Sequence, residues 1–591
     1  MRGTIGALRE PMKTALRSLA LSTLLLTAVG ALGCGDAEEP SSEVSDQVEG
    51  LAEGTPSALA TLSLVNDPSV TAEWLKQNKI DKRAATNIIA RRDGGDAVIR
   101  TGDDALFVSV ADLDTVSQVG VATLKKLRDL AKARGYLEAQ EKKELRVVFS
   151  PQPADKSHSA AIAQALGAAT RTIDIAMYSY SDAKIGSALD AAVKRGVKVR
   201  FLFDTASEDK KLTGSALTSS KSGKLEAMGV DVRWVNKILH HKLVLIDGPR
   251  EDAAFAKGAY LITGSGNWSN GAATVYDENT LFLKAYPELN LRFQREFDHL
   301  WKHSRDLASN PSIVSDTTIV PVQDDAIVED PGMHVWFTSD NFTVSGDTFS
   351  GGRKNSVANV LVAAISQAED RIHIMSGHLR SRPVSEALMA RKAEMPDLDI
   401  KVYLDGQEYI SESGDSEQKA KLQTCLAAAN TDTARASCVD KGFLFGKAVG
   451  EAGIDVRYKY YAYRWNASYA AQMHNKTLVI DDALFTGSYN LSDNAEHATF
   501  ENMLKLEGPE FADLVEEYDA KFEELWVTGE GKLGAFRAQV DTSTSFPIVF
   551  PALSLSWVEV RDLKSLIAAE CPAVNSEPFR TSPTSHQTCI K

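Results

Sequence analysis

From about residue 144 onward, short apolar runs alternate with stretches whose apolar positions recur every three or four residues, as strands alternate with helices. RTIDIAMYSYSD (171–182) leads into AKIGSALDAAVKRG (183–196) and then VKVRFLFD (197–204), a strand, helix, strand order that favours a parallel sheet. Much later DRIHIMSGHLRS (370–381), PVSEALMARKAEM (383–395) and LDIKVYLD (398–405) repeat that order. The repeat extends further, since Gly229-Val230-Asp231-Val232-Arg233-Trp234 matches Gly453-Ile454-Asp455-Val456-Arg457-Tyr458. Two α/β halves are therefore expected, 144–305 and 333–530, joined by a linker at 306–332. Residues 406–450 read as a lobe inserted in the second half, and 540–591 as a C-terminal extension.

Just ahead of the halves, over residues 60–137, the period is helical. Residues 60–137 hold two similar units in which a polar turn opens an amphipathic helix, with Ala85 and Ile88, or Leu124 and Leu127, three apart on one face. They resemble a tandem helix-hairpin-helix domain, whose Gly-hydrophobic-Gly turns let backbone amides approach phosphate. Here the turns read Lys79-Ile80-Asp81 and Gln118-Val119-Gly120, with three of four glycines missing, so a structural or docking module is expected rather than a DNA reader. Residues 35–58 are acidic, rich in Ser, Pro and Gly and without periodicity, the composition of a disordered tether. Residues 12–34 have a basic start at Lys13 and Arg17, an apolar core and small residues before Cys34, the layout of an export signal. Ala31-Leu32-Gly33-Cys34 resembles the bacterial lipobox, so Cys34 is expected to carry lipid, with plain secretion as the alternative.

Charge and cysteines sharpen this picture. The chain carries −15, and residues 1–33 hold four basic residues against one acidic, so the remainder carries −18. Such a surface does not attract polyanions in general, and any phosphate site must be locally basic. After Cys34 come Cys425 with Cys438, and Cys571 with Cys589, an even and locally paired set that suggests two short-loop disulfides in an exported chain; free buried thiols are the alternative.

The chemistry lies in two phrases, LHHKLVLID (239–247) and MHNKTLVID (473–481). Each offers His, Lys at +2 and Asp at +7: His240, Lys242, Asp247 and His474, Lys476, Asp481. His241 falls opposite Asn475. Beyond them stand Gly264-Ser265-Gly266-Asn267 and Gly487-Ser488-Tyr489-Asn490, and 11 residues after each asparagine a glutamate, Glu278 and Glu501, each followed by Asn. On a strand, residues two apart share a face, so His240 and Lys242 point together and His241 points away. Asp247 and Asp481, beside turns, are expected to be structural, and each glutamate is expected to fix the Nδ1 tautomer of the histidine in its own half. Two lysines and two amides can offset the charge of a phosphodiester as it becomes a phosphorane, while one imidazole attacks phosphorus and the other protonates the departing oxygen. No metal or cofactor is demanded.

This pattern resembles the phospholipase D superfamily, with its paired H-x-K-x4-D signatures followed by G-S-x-N, over roughly residues 144–530. The resemblance implies an α/β/α half folded twice into a pseudo-dimer within one chain, preceded here by a small all-α domain, and catalysis by a monomer. It implies His240 as the nucleophile forming a phosphohistidine and His474 as the general acid, with Lys242, Lys476, Asn267, Asn490, Glu278 and Glu501 completing the site and Ser265, Ser488, Asp247 and Asp481 supporting it. The superfamily includes phospholipases, cardiolipin synthases, nucleases and toxins, so fold does not choose the substrate. Gly453 lies ten residues further from its histidine than Gly229 does, and the added YKYYAYRWNASYAAQ places Tyr461, Tyr463 and Trp465 where they could line a pocket mouth or meet a lipid interface. A lipoprotein of the bacterial cell envelope, outer-membrane or periplasmic, meets phospholipid more readily than duplex DNA. Phospholipid headgroup hydrolysis at a membrane surface is the expected activity, with transfer to an alcohol as a variant. A metal-independent endonuclease acting on nucleic acid is the alternative, ahead of a cardiolipin-synthase-like transferase or a noncatalytic binding protein.

Overall fold

A computed structural model describes residue 51 and residues 56–95, 105–136, 143–204, 208–310, 312–313, 332–352, 354–438, 442–463, 465, 470–542 and 549–570. The export signal with Cys34, nearly all of the 35–58 tether, most of the 306–332 linker, and Cys571 and Cys589 lie outside the described residues.

Helices α1 (Pro56–Asn66), α2 (Ala72–Gln77), α3 (Lys82–Arg92), α4 (Val110–Asp114) and α5 (Val121–Ala133) enclose a core of their own that includes Leu64, Leu75, Ile88, Leu113, Leu124 and Leu127. Asp81 caps α3 by accepting from Arg83 N and Ala84 N, which explains a helix start within a charged stretch. In both turns the residue at the first glycine position, Lys79 or Gln118, takes the left-handed conformation a glycine would take, φ +66° and +72°. A tether ending at 58 does not fit this arrangement, because α1 begins at Pro56 and buries Ala58 with Leu62 and Leu64. Its apolar residues find a partner in the helical core that composition alone could not supply.

The two halves are built on mixed sheets of eight strands. In the first half these are β1 (Glu144–Ser150), β2 (Thr172–Met177), β3 (Lys198–Phe203), β4 (Asp231–Trp234), the short β5 (Ile238–Leu239), β6 (Lys242–Ile246), β7 (Tyr260–Gly264), β8 (Glu278–Lys284) and β9 (Arg305–Asp306). In the second they are β10 (Met333–Phe337), the ribbon β11 (Phe342–Ser345) with β12 (Thr348–Gly351), β13 (Arg371–Ser376), β14 (Asp399–Asp405), β15 (Asp455–Ala462), β16 (Lys476–Ile480), β17 (Ala483–Gly487), the short β18 (Thr499–Phe500), β19 (Asn502–Glu507) and β20 (Val549–Ser556). The first sheet runs β1-β8-β7-β6-β2-β3-β4-β9 and the second β10-β19-β17-β16-β13-β14-β15-β20, the same order strand for strand. β2, β3 and β4 are mutually parallel, as are β13, β14 and β15, and the remaining pairs in each sheet are antiparallel. The duplication read from sequence is thus a duplication of topology.

Each sheet has helices on both faces, which is why its central strands are apolar without alternation. Outer helices such as Ala183–Lys194 and Ser356–Gln367 bury Ile185 and Leu189, or Val357 and Leu361. Inner helices Pro287–Lys302 and Ala512–Trp526 contribute Phe293, Phe297, Tyr518 and Phe522 to one core shared with Leu243 and Leu281 of the first sheet and Val479 and Leu484 of the second. That shared core holds the two halves face to face.

The C-terminal boundary drawn from sequence is corrected here. β20 is the edge strand beside β15, and helix Trp557–Glu570 buries Val560, Leu563 and Ile567 in the second half's core, so 549–570 belongs to that half rather than to an appendage. β15 also shows where part of the extra length upstream of His474 goes. The strand has eight residues, against four in β4, and gives β20 a partner from Arg457↔Ser556 to Ala462↔Val549. The inserted lobe comprises helices Glu412–Ala428 and Asp432–Ser437, joined by the expected disulfide between Cys425 and Cys438.

Candidate active site

The histidine phrases stand where the halves meet. β5 lies parallel to β18 of the other half, pairing Ile238 with Thr499 and Leu239 with Phe500, and His240 N donates to Phe500 O at 3.0 Å. The second phrase repeats this, with an Asp277↔Met473 bridge and His474 N donating to Asp277 O at 3.0 Å. Each histidine is therefore laid beside the residue preceding the glutamate of the opposite half. The consequence is a crossed pairing: His240 Nδ1 lies 2.8 Å from Glu501 Oε2, and His474 Nδ1 lies 2.7 Å from Glu278 Oε1. The expectation that Glu278 serves His240 and Glu501 serves His474 is wrong, because the strand that reaches each histidine comes from the partner half. The two imidazole centroids are 6.5 Å apart, a gap spanned by two reactive approaches of about 3 Å each.

The lysines brace the backbone of the histidines. Lys242 Nζ donates to His240 O at 2.7 Å, and Lys476 Nζ donates to His474 O and lies 3.2 Å from its Nδ1. The Ser265 and Ser488 hydroxyls accept from Asn279 N and Asn502 N, at 2.9 and 3.0 Å, and reach Glu278 and Glu501. Asn267 and Asn490 follow in the turns after β7 and β17, and each has a buried amide oxygen with no partner among the described residues. A buried amide in that condition is a group waiting for a ligand or for water.

Dense, buried charge tunes these groups. Burial, then Lys242, Lys476 and His474, push His240 well below the usual histidine range. Burial also lowers His474, to about 4, with Glu278 opposing and Lys476 assisting. Lys242 falls to about 7 and Lys476 to about 8, in both cases chiefly by burial and against the pull of the glutamates. The two carboxyls part company. Burial raises Glu501 to about 7 against Lys242, whereas in Glu278 the opposing His474 and Lys476 outweigh burial and hold it below the usual range. With Glu278 ionised, its hydrogen bond assigns the proton of His474 to Nδ1 and turns Nε2 toward chemistry. The cations depress one another, and an anionic diester would relieve that.

Other residues singled out by sequence fall outside this centre. Asp247 and Asp481 cap the starts of β2 and β13: Asp247 accepts from Thr170, Arg171 and Thr172 N, and Asp481 from Glu369, Asp370 and Arg371 N. Both sit beyond the far ends of five-residue strands, about 16 Å of rise from the lysines. His241 is fully buried on the other side, its Nε2 3.1 Å from Glu296 and its Nδ1 2.9 Å from Asn502. The three aromatics expected at a pocket mouth, Tyr461, Tyr463 and Trp465, line a small pocket together with Gly406, Tyr460, Ala462 and Lys564, Tyr461 and Tyr463 being buried and Trp465 exposed.

Sequence reasoning missed the two aspartates that end VKVRFLFD and LDIKVYLD. Asp204 accepts from Leu239 N at 3.0 Å and Asp405 from Met473 N at 2.8 Å, each fixing the residue before a histidine. Their identical position after matching strands was the available signal. A buried Asp277–Lys459 ion pair, 2.7 Å, adds a support on the His474 side that has no equal at Phe500.

A family model described as "Cardiolipin synthase, PLD-like domain" matches residues 162–301 and 361–526, together just over half of the chain. The chain belongs to the phospholipase D superfamily. Its two matched segments contain both crossed His–Glu pairs, so each superfamily unit supplies one histidine to its own phrase and one glutamate to the other's. Among curated relatives, the mitochondrial cardiolipin hydrolase of Chlamydomonas reinhardtii is 32% identical over 23% of this chain and 54% of that protein, and the mouse protein of the same name is 28% identical over 25% and 61%. The chain thus spans little more than half the length of these relatives. Among solved structures, the phospholipase D family member Nuc from Salmonella typhimurium matches 28% of this chain and 98% of its own at 26% identity and TM-score 0.23. Phosphatidylserine synthase from Haemophilus influenzae matches 78% and 99% at 12% identity and TM-score 0.41.

Proposed function

We propose that this superfamily member is a phospholipase D-type phosphodiesterase that hydrolyses phospholipid headgroups, from a phosphatidylcholine-like lipid to phosphatidate, through a phosphohistidine. The observation that carries the reading is the pair of imidazoles facing each other across 6.5 Å, each held at Nδ1 by a buried glutamate. His240 Nε2 attacks phosphorus, the bond from phosphorus to the headgroup oxygen breaks, and His474 delivers its proton to that oxygen. His474 then takes a proton from water, the water oxygen attacks phosphorus, and the phosphorus–nitrogen bond breaks to return His240. An alcohol in place of water gives transfer. Two displacements retain configuration at phosphorus.

The electrostatics support that division of roles. Burial beside Lys242, Lys476 and His474 holds His240 well below the usual histidine range and so keeps it neutral for attack. His474 faces the ionised Glu278 and is the ring that gains a proton first when a diester's charge offsets the lysines. Asn267 and Asn490 supply donors to the equatorial oxygens. The lipid substrate follows from address and charge: the export-like residues 12–34, the lipobox-like Cys34 and the net −15 favour a membrane-side role in the cell envelope.

A second reading, a metal-independent endonuclease, is favoured by the helical hairpins. Lys79 and Gln118 keep the left-handed turn without glycine, and residues 71–136 carry 12 basic against 9 acidic side chains in a strongly acidic chain. Incubating the full chain in EDTA with phosphatidylcholine vesicles and, separately, with single-stranded DNA decides between the two. Choline release without nucleotide release is expected; the reverse outcome removes the lipase reading.

A further inference from the structure

The turns that carry Asn267 and Asn490 are built alike but anchored by different residues. In both, the two amides before the asparagine donate to one carbonyl: Ser265 N and Gly266 N to Asn279 O at 3.0 and 3.2 Å, Ser488 N and Tyr489 N to Asn502 O at the same distances. Gly266 stands where the second half has Tyr489. Tyr489 is fully buried, and its hydroxyl donates to Glu496 Oε2 at 2.6 Å. The Glu496 carboxylate accepts in turn from Val357 N and Ala358 N, both at 3.1 Å, in the first turn of helix Ser356–Gln367. The second turn is thereby tied to the start of the outer helix that precedes β13.

The first half reaches the corresponding helix, His158–Gly167 ahead of β2, without a tyrosine. A Cβ on Gly266 would stand 3.3 Å from His158 Nε2 and 2.8 Å from Thr280 Oγ1, so the imidazole that opens this helix takes the space a longer side chain at 266 would need. His158 is fully buried, with Nε2 3.0 Å from Asn267 O and Nδ1 3.3 Å from Ser150 Oγ. A carbonyl oxygen only accepts, so the ring carries its proton on Nε2, and Nδ1 accepts from the Ser150 hydroxyl. Burial holds the ring below the usual histidine range against the pull of Asn267 O, which preserves this neutral form. Ser150 ends β1 opposite Glu278. One side chain therefore joins the strand beside the glutamate, the start of the outer helix and the peptide of Asn267. Ser269 N, at 3.0 Å, shares that carbonyl. The Asn267 amide oxygen is buried without a partner among the described residues, so the direction of this side chain is set through its backbone.

We propose that His158 is a positioning residue for the phosphodiester reaction: it holds the Asn267 peptide so that the asparagine amide meets the equatorial oxygens on phosphorus, the task Tyr489 and Glu496 share for Asn490. The proposal rests on the phosphodiester chemistry of the site and holds whether the diester belongs to a lipid or to a nucleic acid. Small displacements of a donor aimed at a phosphorane are costly, which gives a buried support of this kind a kinetic signature.

Two substitutions in the full chain separate positioning from packing. His158→Gln brings an amide N–H near the Nε2 position and His158→Asn near the Nδ1 position, so both stay polar but only the first donates to Asn267 O. The measurements are kcat and KM on bis(nitrophenyl) phosphate and calorimetric affinity for orthovanadate, an anion that takes on the five-coordinate geometry of a phosphorane. His158→Asn is expected to lose roughly tenfold in kcat and in vanadate affinity with KM little changed. His158→Gln is expected to stay within about twofold of wild type on both. In an Asn267→Ala background His158→Asn is expected to cause no further loss, because its effect passes through that amide. Losses that multiply, or equal losses in the two His158 variants, overturn the positioning role. So does an Asn267→Ala protein that binds vanadate as tightly as wild type. A wild type that shows the vanadate pattern but cleaves neither the nitrophenyl diester nor phospholipid vesicles removes the hydrolase reading and leaves the role of His158 standing.

Discussion

The crossed pairing makes a prediction that separates the two glutamates. Glu278 contacts His474, the proposed acid, at 2.7 Å, and Glu501 contacts His240, the proposed nucleophile, at 2.8 Å; both carboxyls are fully buried. Glu278→Gln keeps the volume and an acceptor oxygen but removes the charge, leaving an imidazolium beside Lys476 without compensation. A charge-assisted hydrogen bond in such a place is worth about 1.5–3 kcal/mol, roughly 10- to 150-fold in rate. The loss should depend on the departing group. With a choline or glycerol headgroup, which needs a proton to leave, Glu278→Gln should fall by about a hundredfold. With a nitrophenyl phosphodiester, whose aryloxide leaves unprotonated, its first-turnover release of nitrophenolate should stay close to wild type. Glu501→Gln should lose a similar factor on both substrates, because attack precedes departure in each. Single-turnover rates of leaving-group release by the three proteins on the two substrates provide the measurement. Aryl rescue confined to Glu501→Gln would show the roles reversed, and equal losses everywhere would show that the crossed contacts do not divide the chemistry.

Other outcomes follow from the same contacts. His240→Ala and His474→Ala should each abolish headgroup release with the melting temperature preserved, whereas His241→Ala, which strands Glu296 and Asn502, should keep most activity in the cold but lose about 1–3 kcal/mol in urea unfolding. Asp247→Ala should likewise cost about 1–3 kcal/mol with little effect on turnover, since its backbone partners lie at the far end of β6. Lys242 falls to about 7 in the fold against an ordinary 10.5, so between those values the unfolded chain binds more protons and the lysine's contribution to stability improves as pH rises; the melting temperature of Lys242→Met relative to wild type, followed from pH 7 to 10, should lose that upward slope. Cys438→Ser should loosen residues 412–437, seen as faster hydrogen exchange, by up to about 3 kcal/mol for its short loop, while vesicle turnover persists.

Much of this protein was legible in its residues alone. The two-fold repeat, the strand and helix order of each half, the buried seats of Ala85, Ile88, Leu124 and Leu127, the choice of His240 over His241 and the structural use of Asp247 all follow from local spacing, because periodicity and face-sharing act over a few residues. Which glutamate meets which histidine did not follow. That depends on β5 pairing with β18 and on Met473 lying against Asp277, contacts between segments more than 190 residues apart that no local pattern records. What covers the strand in the aromatic run before His474 was hidden for the same reason: a strand is covered or exposed according to what packs on it, and here β20, from a segment that reads as an appendage, becomes its neighbour. Sequence by itself determined the repeated His, Lys, Ser, Asn and Glu set of the site. Tertiary structure decided how they are joined across the halves, because only the docking of two similar sheets brings each carboxylate to the other half's imidazole.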